Sequence, residues 1–312
     1  MAQIIPSSTG LSVTIAGVRF KNPVIAASGT FGYGREYSGI VDIAALGGIC
    51  TKGLTLNPRP GNTGLRIYET ASGMMNSIGL ENPGIPAFIE KELPYLRGLG
   101  PAVIANLSGS DIAEYTEGAA LLDASSVDMI ELNISCPNVK CGGMAFGLNP
   151  ETAAEVTAAV RKAAPHKPLM VKLSPNAPDI NAVARACINA GADALSLVNT
   201  FKAMAIDIQN RRPVFDNVSA GLSGPAIKPI ALRMVWELWE SLQEAKQAVP
   251  IVGMGGIATT EDALEFLMAG AAAIQVGTAT FIHPSAMNEI INGIEAYMKE
   301  NRFLTLAELG IL

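Results

Sequence analysis

The chain has 312 residues, of which 49% are hydrophobic and 16% are charged, and its formal net charge is −6. The apolar content predicts a large buried core and excludes a disordered chain, and no run rich in Lys and Arg indicates nucleic-acid binding. No stretch reaches about 18 consecutive apolar residues, so we expect no transmembrane helix.

The N-terminal segment MAQIIPSSTG lacks the basic region and apolar core of a secretory signal, which predicts a cytoplasmic protein with reduced thiols. The next segment, LSVTIAGVRF (11–20), alternates polar and apolar residues around a glycine. It predicts a small hairpin that closes the floor of the fold.

Eight short apolar runs follow, each typical of a buried parallel strand. They are VIAAS (24–28), GICTK (48–52), VIANL (103–107), MIELNIS (129–135), LMVKLS (169–174), ALSLVN (194–199), IVGMGG (251–256) and AIQVGT (273–278). Amphipathic stretches that begin with a capping residue or proline precede the fifth, sixth and eighth runs, and these stretches predict helices.

Strands that alternate with helices indicate a parallel sheet, and eight such units predict an α/β protein with a closed (β/α)8 TIM barrel, formed as a single domain over residues 1–312. A doubly wound open sheet is the alternative. That fold typically has fewer units and a G-x-G-x-x-G turn after its first strand, whereas the first run here continues as SGTFGYG. The pattern therefore favours the barrel.

Two connections are unusually long. Residues 53–101 separate the second and third runs, and residues 200–249 separate the sixth and seventh. Both insertions leave from the carboxyl ends of strands, the face on which TIM barrels carry their active sites. Long insertions at this face commonly form lids or subunit contacts.

Polar side chains end several of the apolar runs. A single one of them could simply cap the barrel rim, but three asparagines and two lysines that end five different strands predict an active site, because polar groups buried without partners are costly. The strand-end residues are Ser28, Lys52, Asn106, Asn133, Cys136, Lys172, Asn199, Gly255, Gly256, Gly277 and Thr278.

Cys136 is the strongest candidate for proton transfer. It directly follows the fourth strand, where a nearby cation would favour its thiolate form. His166 precedes the fifth strand and His283 follows the eighth, so neither ends a strand, and we expect structural roles for both. The other interpretation of a cysteine is a small buried hydrophobe, which we adopt for Cys50 and Cys187.

Glycine turns after the seventh and eighth strands predict a phosphate-bearing ligand, since glycine lets backbone N–H groups approach an anion closely. Lys172 could supply positive charge where electrons accumulate on a cofactor. It could instead form a Schiff base, as in aldolase-type barrels, but that alternative leaves Cys136 without a role.

Six motifs occur across nearly the whole chain: CTKGLT (50–55), GMMNSIGLENPG (73–84), NISCPNVK (133–140), VKLSPN (171–176), SLVNT (196–200) and GMGGI (253–257). Together and in this order they resemble dihydroorotate dehydrogenase of class 1. The resemblance implies an FMN-dependent barrel that oxidises (S)-dihydroorotate to orotate in de novo pyrimidine biosynthesis.

The resemblance also implies roles for individual residues. Cys136 would take the proton from C5 of the substrate while a hydride leaves C6 for flavin N5, and Lys172 would stabilise negative charge near N1 of the reduced flavin. The implied substrate residues are Lys52, Asn76, Ser77, Ile78, Gly79, Leu80, Asn133, Asn199 and Thr200. The implied flavin residues are Ser28, Thr51, Lys52, Asn106, Asn133, Lys172, Val198, Gly224, Gly255, Gly256, Gly277 and Thr278.

The electron acceptor depends on the subclass. The residues SCPNVKCGGMAFG (135–147) are similar to the NAD-dependent class 1B form, whereas the fumarate-using class 1A form reads SCPNVPG. The membrane-associated class has serine in place of Cys136 and an N-terminal extension, and the sequence argues against it. Class 1B implies a homodimer of this chain flanked by two partner subunits that carry FAD and a [2Fe-2S] cluster, with no metal, nucleic acid or membrane bound by this chain.

Three alternatives stay open. They are a fumarate-dependent enzyme, a flavin enzyme similar to dihydropyrimidine dehydrogenase that uses its cysteine as an acid, and a catalytically silent flavin-binding subunit. Cys136, Lys52 and the set of asparagines argue against the silent subunit, since binding alone needs no base.

Overall fold

The computed structural model describes residues 10–135 and 146–312. Within these ranges the strands are β1 (Val13–Ile15), β2 (Val18–Phe20), β3 (Val24–Ala26), β4 (Gly48–Cys50), β5 (Ile67–Thr70), β6 (Gly73–Asn76), β7 (Ala102–Leu107), β8 (Met129–Asn133), β9 (Leu169–Lys172), β10 (Ala194–Leu197), β11 (Phe201–Met204), β12 (Ile206–Asp207), β13 (Arg212–Pro213), β14 (Ser219–Ser223), β15 (Ile251–Met254) and β16 (Ala273–Val276).

The helices in the same ranges are α1 (Ile85–Ala87), α2 (Leu93–Leu99), α3 (Ile112–Asp123), α4 (Pro150–Ala163), α5 (Ile180–Asn189), α6 (Lys228–Glu244), α7 (Thr260–Met268), α8 (Ala279–Ile282) and α9 (Ala286–Asn301). A wider π turn joins α1 to α2, and single 3-10 turns occupy several loops. None of these helices combines the length and the apolar character needed to cross a lipid bilayer.

Eight strands form a closed parallel barrel. Its order is β3, β4, β7, β8, β9, β10, β15 and β16, and β16 pairs back onto β3 with Val276 opposite Ala26. Each barrel strand pairs with the next one along the chain, as right-handed crossovers in a (β/α)8 barrel require. All eight predicted strands are confirmed, and the open-sheet alternative is wrong. That residues 1–312 form a single domain stays a prediction.

Seven of the eight barrel strands end two residues before the predicted runs do, and only β7 ends where it was predicted. Strands β3, β4 and β10 end at Ala26, Cys50 and Leu197, so the polar residues Lys52 and Asn199 lie in the loops that follow. Ser28 does so as well. Beyond β4, Thr51 N donates to Ile104 O at 2.9 Å, and the pairing with β7 resumes after Lys52, where Leu54 N donates to Asn106 O at 2.8 Å. These polar side chains therefore occupy the mouth of the barrel, not its wall.

The helices that the sequence predicts begin at their expected caps. Asn149 accepts hydrogen bonds from the first backbone N–H groups of α4, Asp179 does so for α5, and Thr259 does so for α7. Such caps satisfy donors that have no partner within the helix.

The predicted N-terminal hairpin is confirmed as β1 paired with β2. Its Ile15 and Phe20 are fully buried and pack against apolar side chains inside the barrel. The barrel residues of this cluster come from all eight barrel strands: Ile25, Cys50, Ile104, Met129, Met170, Ala194, Val252 and Ala273. The hairpin thus closes the barrel floor and leaves the opposite end for a site.

The two long insertions meet in one antiparallel sheet of order β11-β14-β6-β5. Strands β5 and β6 come from the first insertion, and β11 and β14 come from the second. Asn76, at the end of β6, pairs with Gly221 in β14, and its Nδ2 donates to Gly221 O at 3.3 Å. This sheet brings residues from both insertions to the open end of the barrel.

Candidate active site

A cavity of about 310 Å³ lies at the carboxyl ends of the barrel strands. Its lining comes from the residues that end or follow most of the barrel strands and from the sheet built by the two insertions. The volume falls at the lower end of the range typical of small-molecule sites. The cavity lies at the face where the sequence predicts chemistry.

Most of the predicted substrate residues line this cavity. They are Lys52, Asn76, Ile78, Gly79, Leu80, Asn133, Asn199 and Thr200. Ser77 does not. It is buried, and its Oγ accepts hydrogen bonds from Asn62 at 3.1 Å and from Asn217 at 3.2 Å. Ser77 therefore anchors the 76–80 loop to neighbouring segments.

Most of the predicted cofactor residues line the same cavity. They are Ser28, Lys52, Asn133, Lys172, Val198, Gly224, Gly255, Gly256, Gly277 and Thr278. Thr51 and Asn106 do not, and both are fully buried. Thr51 Oγ1 accepts from Asn106 N at 3.2 Å and donates to Lys52 O at 3.1 Å, so this pair lies directly behind the lining residue Lys52.

Cys136, the predicted base, lies outside the described residues, as do Cys141 and most of the segment 137–147. Of the other two cysteines, Cys50 belongs to the apolar cluster at the barrel floor and Cys187 is buried in α5. Burial, and next the nearby carboxylate of Glu131, raise the pKa of the Cys50 thiol well above its usual value. Burial raises the pKa of Cys187 to about 11. Both thiols thus remain protonated at neutral pH, as expected for structural cysteines.

The two histidines differ in position. His166 lies away from the cavity, where its Nδ1 is 2.7 Å from Asp123 Oδ2. His283 lines the outer part of the cavity, and its Nε2 is 2.7 Å from Glu289 Oε1. His283 follows the last barrel strand, as the sequence indicates, but its place at the cavity depends on α8 and was not predicted.

Lys172 extends from β9 into the cavity, and its side chain is only 6% exposed. Its Nζ lies 3.9 Å from Glu131 Oε1, a fully buried carboxylate on the adjacent strand β8. A buried ammonium needs such a counter-charge. The Lys172 ammonium therefore places positive charge at the cavity wall, and the compensating negative charge of Glu131 is buried inside the barrel.

The loop that carries the predicted substrate residues 76–80 is held by Asn82. Asn82 Nδ2 donates to Leu80 O at 2.7 Å and to Thr55 Oγ1 at 2.8 Å, while its Oδ1 accepts from Gly84 N at 2.9 Å. Leu80 adopts φ +57°, a left-handed conformation that is unfavourable for a leucine. Asn82, which is not among the residues that line the cavity, stabilises this conformation through its hydrogen bond to Leu80 O.

The turn after β15 needs two glycines. Gly255 has φ +125° and Gly256 has φ +77°. A Cβ on Gly255 would meet Ala231 Cβ at 2.7 Å, and one on Gly256 would meet Lys228 Cβ at the same distance. The close approach of α6 therefore excludes a side chain at both positions. Both glycines also line the cavity, and a glycine turn of this kind can present backbone N–H groups to an anion.

Sequence reasoning missed three residues that the structure connects to the site: Glu131, Gln275 and Asn82. Glu131 lies within the apolar run MIELNIS, and Gln275 lies within AIQVGT. A single charged or amide residue within an otherwise apolar, buried strand must have a polar partner inside the protein. This pattern could have identified both Glu131 and Gln275 from the sequence. Asn82 has no such signal, since asparagine is common in loops.

Comparison with known proteins identifies the family. The family model described as "Dihydroorotate dehydrogenase" matches residues 10–298. Proteins named "Dihydroorotate dehydrogenase B (NAD(+)), catalytic subunit" are similar to this chain: that of Petrotoga mobilis is 58% identical and the alignment covers 96% of this chain and 98% of the relative. Proteins with the same name from Geotalea daltonii and Thermoanaerobacter pseudethanolicus are 54% and 53% identical to this chain, respectively. Both alignments cover 96% of this chain, and they cover 96% and 97% of the relatives. The words "catalytic subunit" imply a partner subunit in those proteins. The chain belongs to the dihydroorotate dehydrogenase family.

Proposed function

We propose that this chain is the catalytic subunit of an NAD+-dependent dihydroorotate dehydrogenase, which oxidises (S)-dihydroorotate to orotate in pyrimidine biosynthesis. The observation that carries the proposal is the convergence of two lysines, Lys52 and Lys172, and three asparagines, Asn76, Asn133 and Asn199, around one cavity in a chain of this family. Cations and amides are the groups that a carboxylated pyrimidine ring needs.

Enzymes of this family are flavin-dependent in general, and the residues present fit FMN. Gln275 is 1% exposed and lines the cavity, yet its Oε1 accepts no hydrogen bond from the described residues, so a ligand with an N–H edge such as the flavin ring would satisfy it. The turn at Gly255 and Gly256 would receive the phosphate, and Lys172 would lie beside the ring. When bound, FMN supplies the acceptor for the hydride that leaves C6 of the substrate.

The side chains of the cavity would bind and orient the substrate. The Lys52 ammonium would pair with the substrate carboxylate. Asn76, Asn133 and Asn199 would hydrogen-bond the ring amides, since an asparagine side chain both donates and accepts. Fixing the ring in this way holds C5 and C6 in place for the two bond cleavages.

Cys136 is the proposed base. Its thiolate would take the proton from C5 as the hydride leaves C6, and the electron pair of the C5–H bond would form the double bond of orotate. The proposal rests on the motif NISCPNVK (133–140), in which the cysteine comes three residues after Asn133, the last residue of β8. The absence of a histidine from the strand ends supports it.

We further propose a cytoplasmic heterotetramer, in which a homodimer of this chain binds two partner subunits carrying FAD and a [2Fe-2S] cluster. The names of the relatives and the sequence SCPNVKCGGMAFG (135–147) support this assembly and NAD+ as the final acceptor. Purification with co-expressed neighbouring genes tests it. We expect dihydroorotate-dependent NAD+ reduction in the complex and none with the isolated chain, whereas fumarate reduction by the isolated chain would favour the fumarate-dependent alternative.

Anaerobic titration of the purified flavoprotein tests the reaction itself. We expect (S)-dihydroorotate to bleach the visible absorbance of the flavin, with orotate as the product detected by its ultraviolet absorbance. Bleaching by dihydrouracil but not by dihydroorotate would overturn the proposal in favour of an enzyme similar to dihydropyrimidine dehydrogenase. A bound flavin that neither compound reduces would indicate a silent subunit.

A further inference from the structure

Glu131 is the centre of a buried polar network that no predicted role explains. Its carboxylate is fully buried inside the barrel. It accepts hydrogen bonds from side chains on four other strands: Asn106 Nδ2 at 2.6 Å, Gln275 Nε2 at 2.7 Å, Ser196 Oγ at 2.9 Å and Cys50 Sγ at 3.2 Å. Burial of a carboxylate is costly even when it is well partnered, and an apolar side chain would fill a barrel more cheaply. The network therefore points to a purpose beyond stability.

A carboxylate only accepts hydrogen bonds, so Glu131 dictates the direction of the amide beside it. Asn106 must turn its NH2 group toward Glu131, which leaves Asn106 Oδ1 facing the next amide. Asn133 Nδ2 donates to that oxygen at 3.3 Å. The direction set by Glu131 is thus transmitted to Asn133, which lines the cavity.

The donor-to-acceptor direction of these hydrogen bonds continues to a third amide, that of Asn199. With its NH2 turned toward Asn106, Asn133 presents Oδ1 to Ser135 Oγ at 2.9 Å and to Asn199 Nδ2 at 3.4 Å. Asn199 Oδ1 then accepts from Thr200 N at 2.8 Å. Ser135 N also donates to Asn133 Oδ1, at 3.2 Å. The buried carboxylate at one end and these backbone donors at the other therefore hold Asn133 and Asn199 in a single direction.

We propose that Glu131 is a positioning residue that sets the hydrogen-bonding direction of Asn106, Asn133 and Asn199, and thereby the recognition of the pyrimidine ring. The proposal rests on the proposed function, because it takes orotate as the ligand of Asn133 and Asn199. Glu131 does not line the cavity and acts through the amides. Its carboxylate is also the counter-charge of Lys172, so one group organises both sides of the site.

The substitution E131L tests the direction of the hydrogen-bond chain. The leucine accepts no hydrogen bond, so Asn106 loses the acceptor that turns its NH2 group away from Asn133. Asn106 can then turn over and bring its NH2 group toward the NH2 group of Asn133, which removes the hydrogen bond between the two amides. Asn133 is then no longer held in the orientation that it offers to the ligand.

The double variant E131Q/N106D keeps the direction but moves the carboxylate from position 131 to position 106. The new glutamine NH2 group donates to the new aspartate, and that aspartate accepts from Asn133 Nδ2 as Asn106 does now. One negative charge is retained inside the barrel.

The measurement is the Kd of orotate for each purified holoenzyme, read from the perturbation of the flavin absorbance, together with flavin content and Tm. We expect E131L to weaken orotate binding by about tenfold or more and the double variant E131Q/N106D to bind within about threefold of wild type. S196A is the matched control. It removes another buried partner of Glu131 but leaves the link to Asn106, so orotate should bind within about threefold of wild type.

A merely structural role predicts a different pattern, in which Tm falls while the Kd of orotate stays constant. Orotate binding by E131L within threefold of wild type would overturn the proposal, and so would a double variant that binds no better than E131L. If a single variant does not fold, the double variant decides, and its failure to fold or to bind orotate counts against the proposal. A wild-type protein that binds flavin but not orotate would refute the proposed function instead.

Discussion

Lys172 Nζ lies 3.9 Å from Glu131 Oε1, and both side chains are almost completely shielded from solvent. The two residues sit on adjacent strands, so the barrel register itself fixes their separation. An ammonium held in this way keeps a fixed charge at the cavity, where it costs no reorganisation when negative charge develops on a ligand.

Replacement of Lys172 by methionine should weaken flavin binding by about tenfold or more, because the variant removes the cation beside the proposed flavin ring. Titration of the apoprotein with FMN, followed by flavin fluorescence, measures the effect. Lys299→Met is the matched control, since Lys299 pairs with Glu295 on the exposed face of α9. A Lys172→Met protein with native flavin affinity and native rate of flavin reduction would refute the role of this residue.

Replacement of Cys136 by alanine should slow flavin reduction by dihydroorotate by roughly 10²–10⁴, the usual effect of losing a general base, while the flavin remains bound. Stopped-flow absorbance under anaerobic conditions measures the rate. Cys187→Ala provides the comparison, because Cys187 is a buried thiol in α5 and its loss should lower stability but not the rate. Native-rate reduction by the Cys136 variant would show that another group takes the proton.

The sequence predicts the barrel well because its signals are local. Apolar runs such as 169–174 and 273–278, separated by capped helices, define strands and crossovers without knowledge of distant contacts. Once the barrel is inferred, Asn133 and Asn199 fall at one end of it, since parallel strands share their carboxyl edge. Much of the cavity lining follows from that geometry alone.

The parts that were not predicted depend on contacts between distant residues. Asn76 meets Gly221 across 145 positions of sequence, and no local pattern indicates that the two insertions form one sheet. The partners of Glu131 come from four other strands, among them Ser196 and Gln275, so its network exists only after the barrel has closed. Such nonlocal pairings are invisible to a reading based on periodicity.

Replacement of Asn82 by alanine should weaken orotate binding by about tenfold and leave flavin binding unchanged. The variant removes the hydrogen bonds that hold Leu80 in its left-handed conformation, and each such buried bond contributes about 1 kcal/mol. Orotate and FMN titrations measure the two affinities. Asn210→Ala, in the exposed turn between β12 and β13, should change neither. Equal losses of both affinities in the Asn82 variant would indicate general unfolding of the site, contrary to a specific role in the 76–80 loop.

Replacement of Gly256 by alanine should lower flavin affinity and the free energy of unfolding, the latter by about 1–3 kcal/mol. The new Cβ would be 2.7 Å from Lys228 Cβ on a backbone with φ +77°, so the turn has to shift. Gly98→Ala is the opposite case. Gly98 lies in α2, where a new methyl group would have no neighbouring atom within 4 Å, and this substitution should raise stability by up to about 1 kcal/mol. Urea unfolding and FMN titration of both variants check the contrast, and a Gly256 variant that keeps its flavin affinity would remove the turn from the phosphate site.

Replacement of Asp262 by asparagine should destabilise the fold in a pH-dependent manner. Burial alone would raise the pKa of Asp262, but hydrogen bonds from Lys228 Nζ and from the N–H groups of Ala258 and Thr259 outweigh it and lower the pKa below 3.8. A carboxyl whose pKa is lower in the folded state stabilises the fold above its unfolded-state pKa, and this contribution is lost as the pH falls through the folded-state pKa. Urea unfolding at pH 7 should therefore show a loss of about 1–2 kcal/mol in the variant, and the difference from wild type should shrink below about pH 4. Asp216→Asn, at an exposed position, should show no comparable loss at either pH, and a difference for Asp262→Asn that stays constant down to about pH 3 would exclude the ionised carboxylate as its cause.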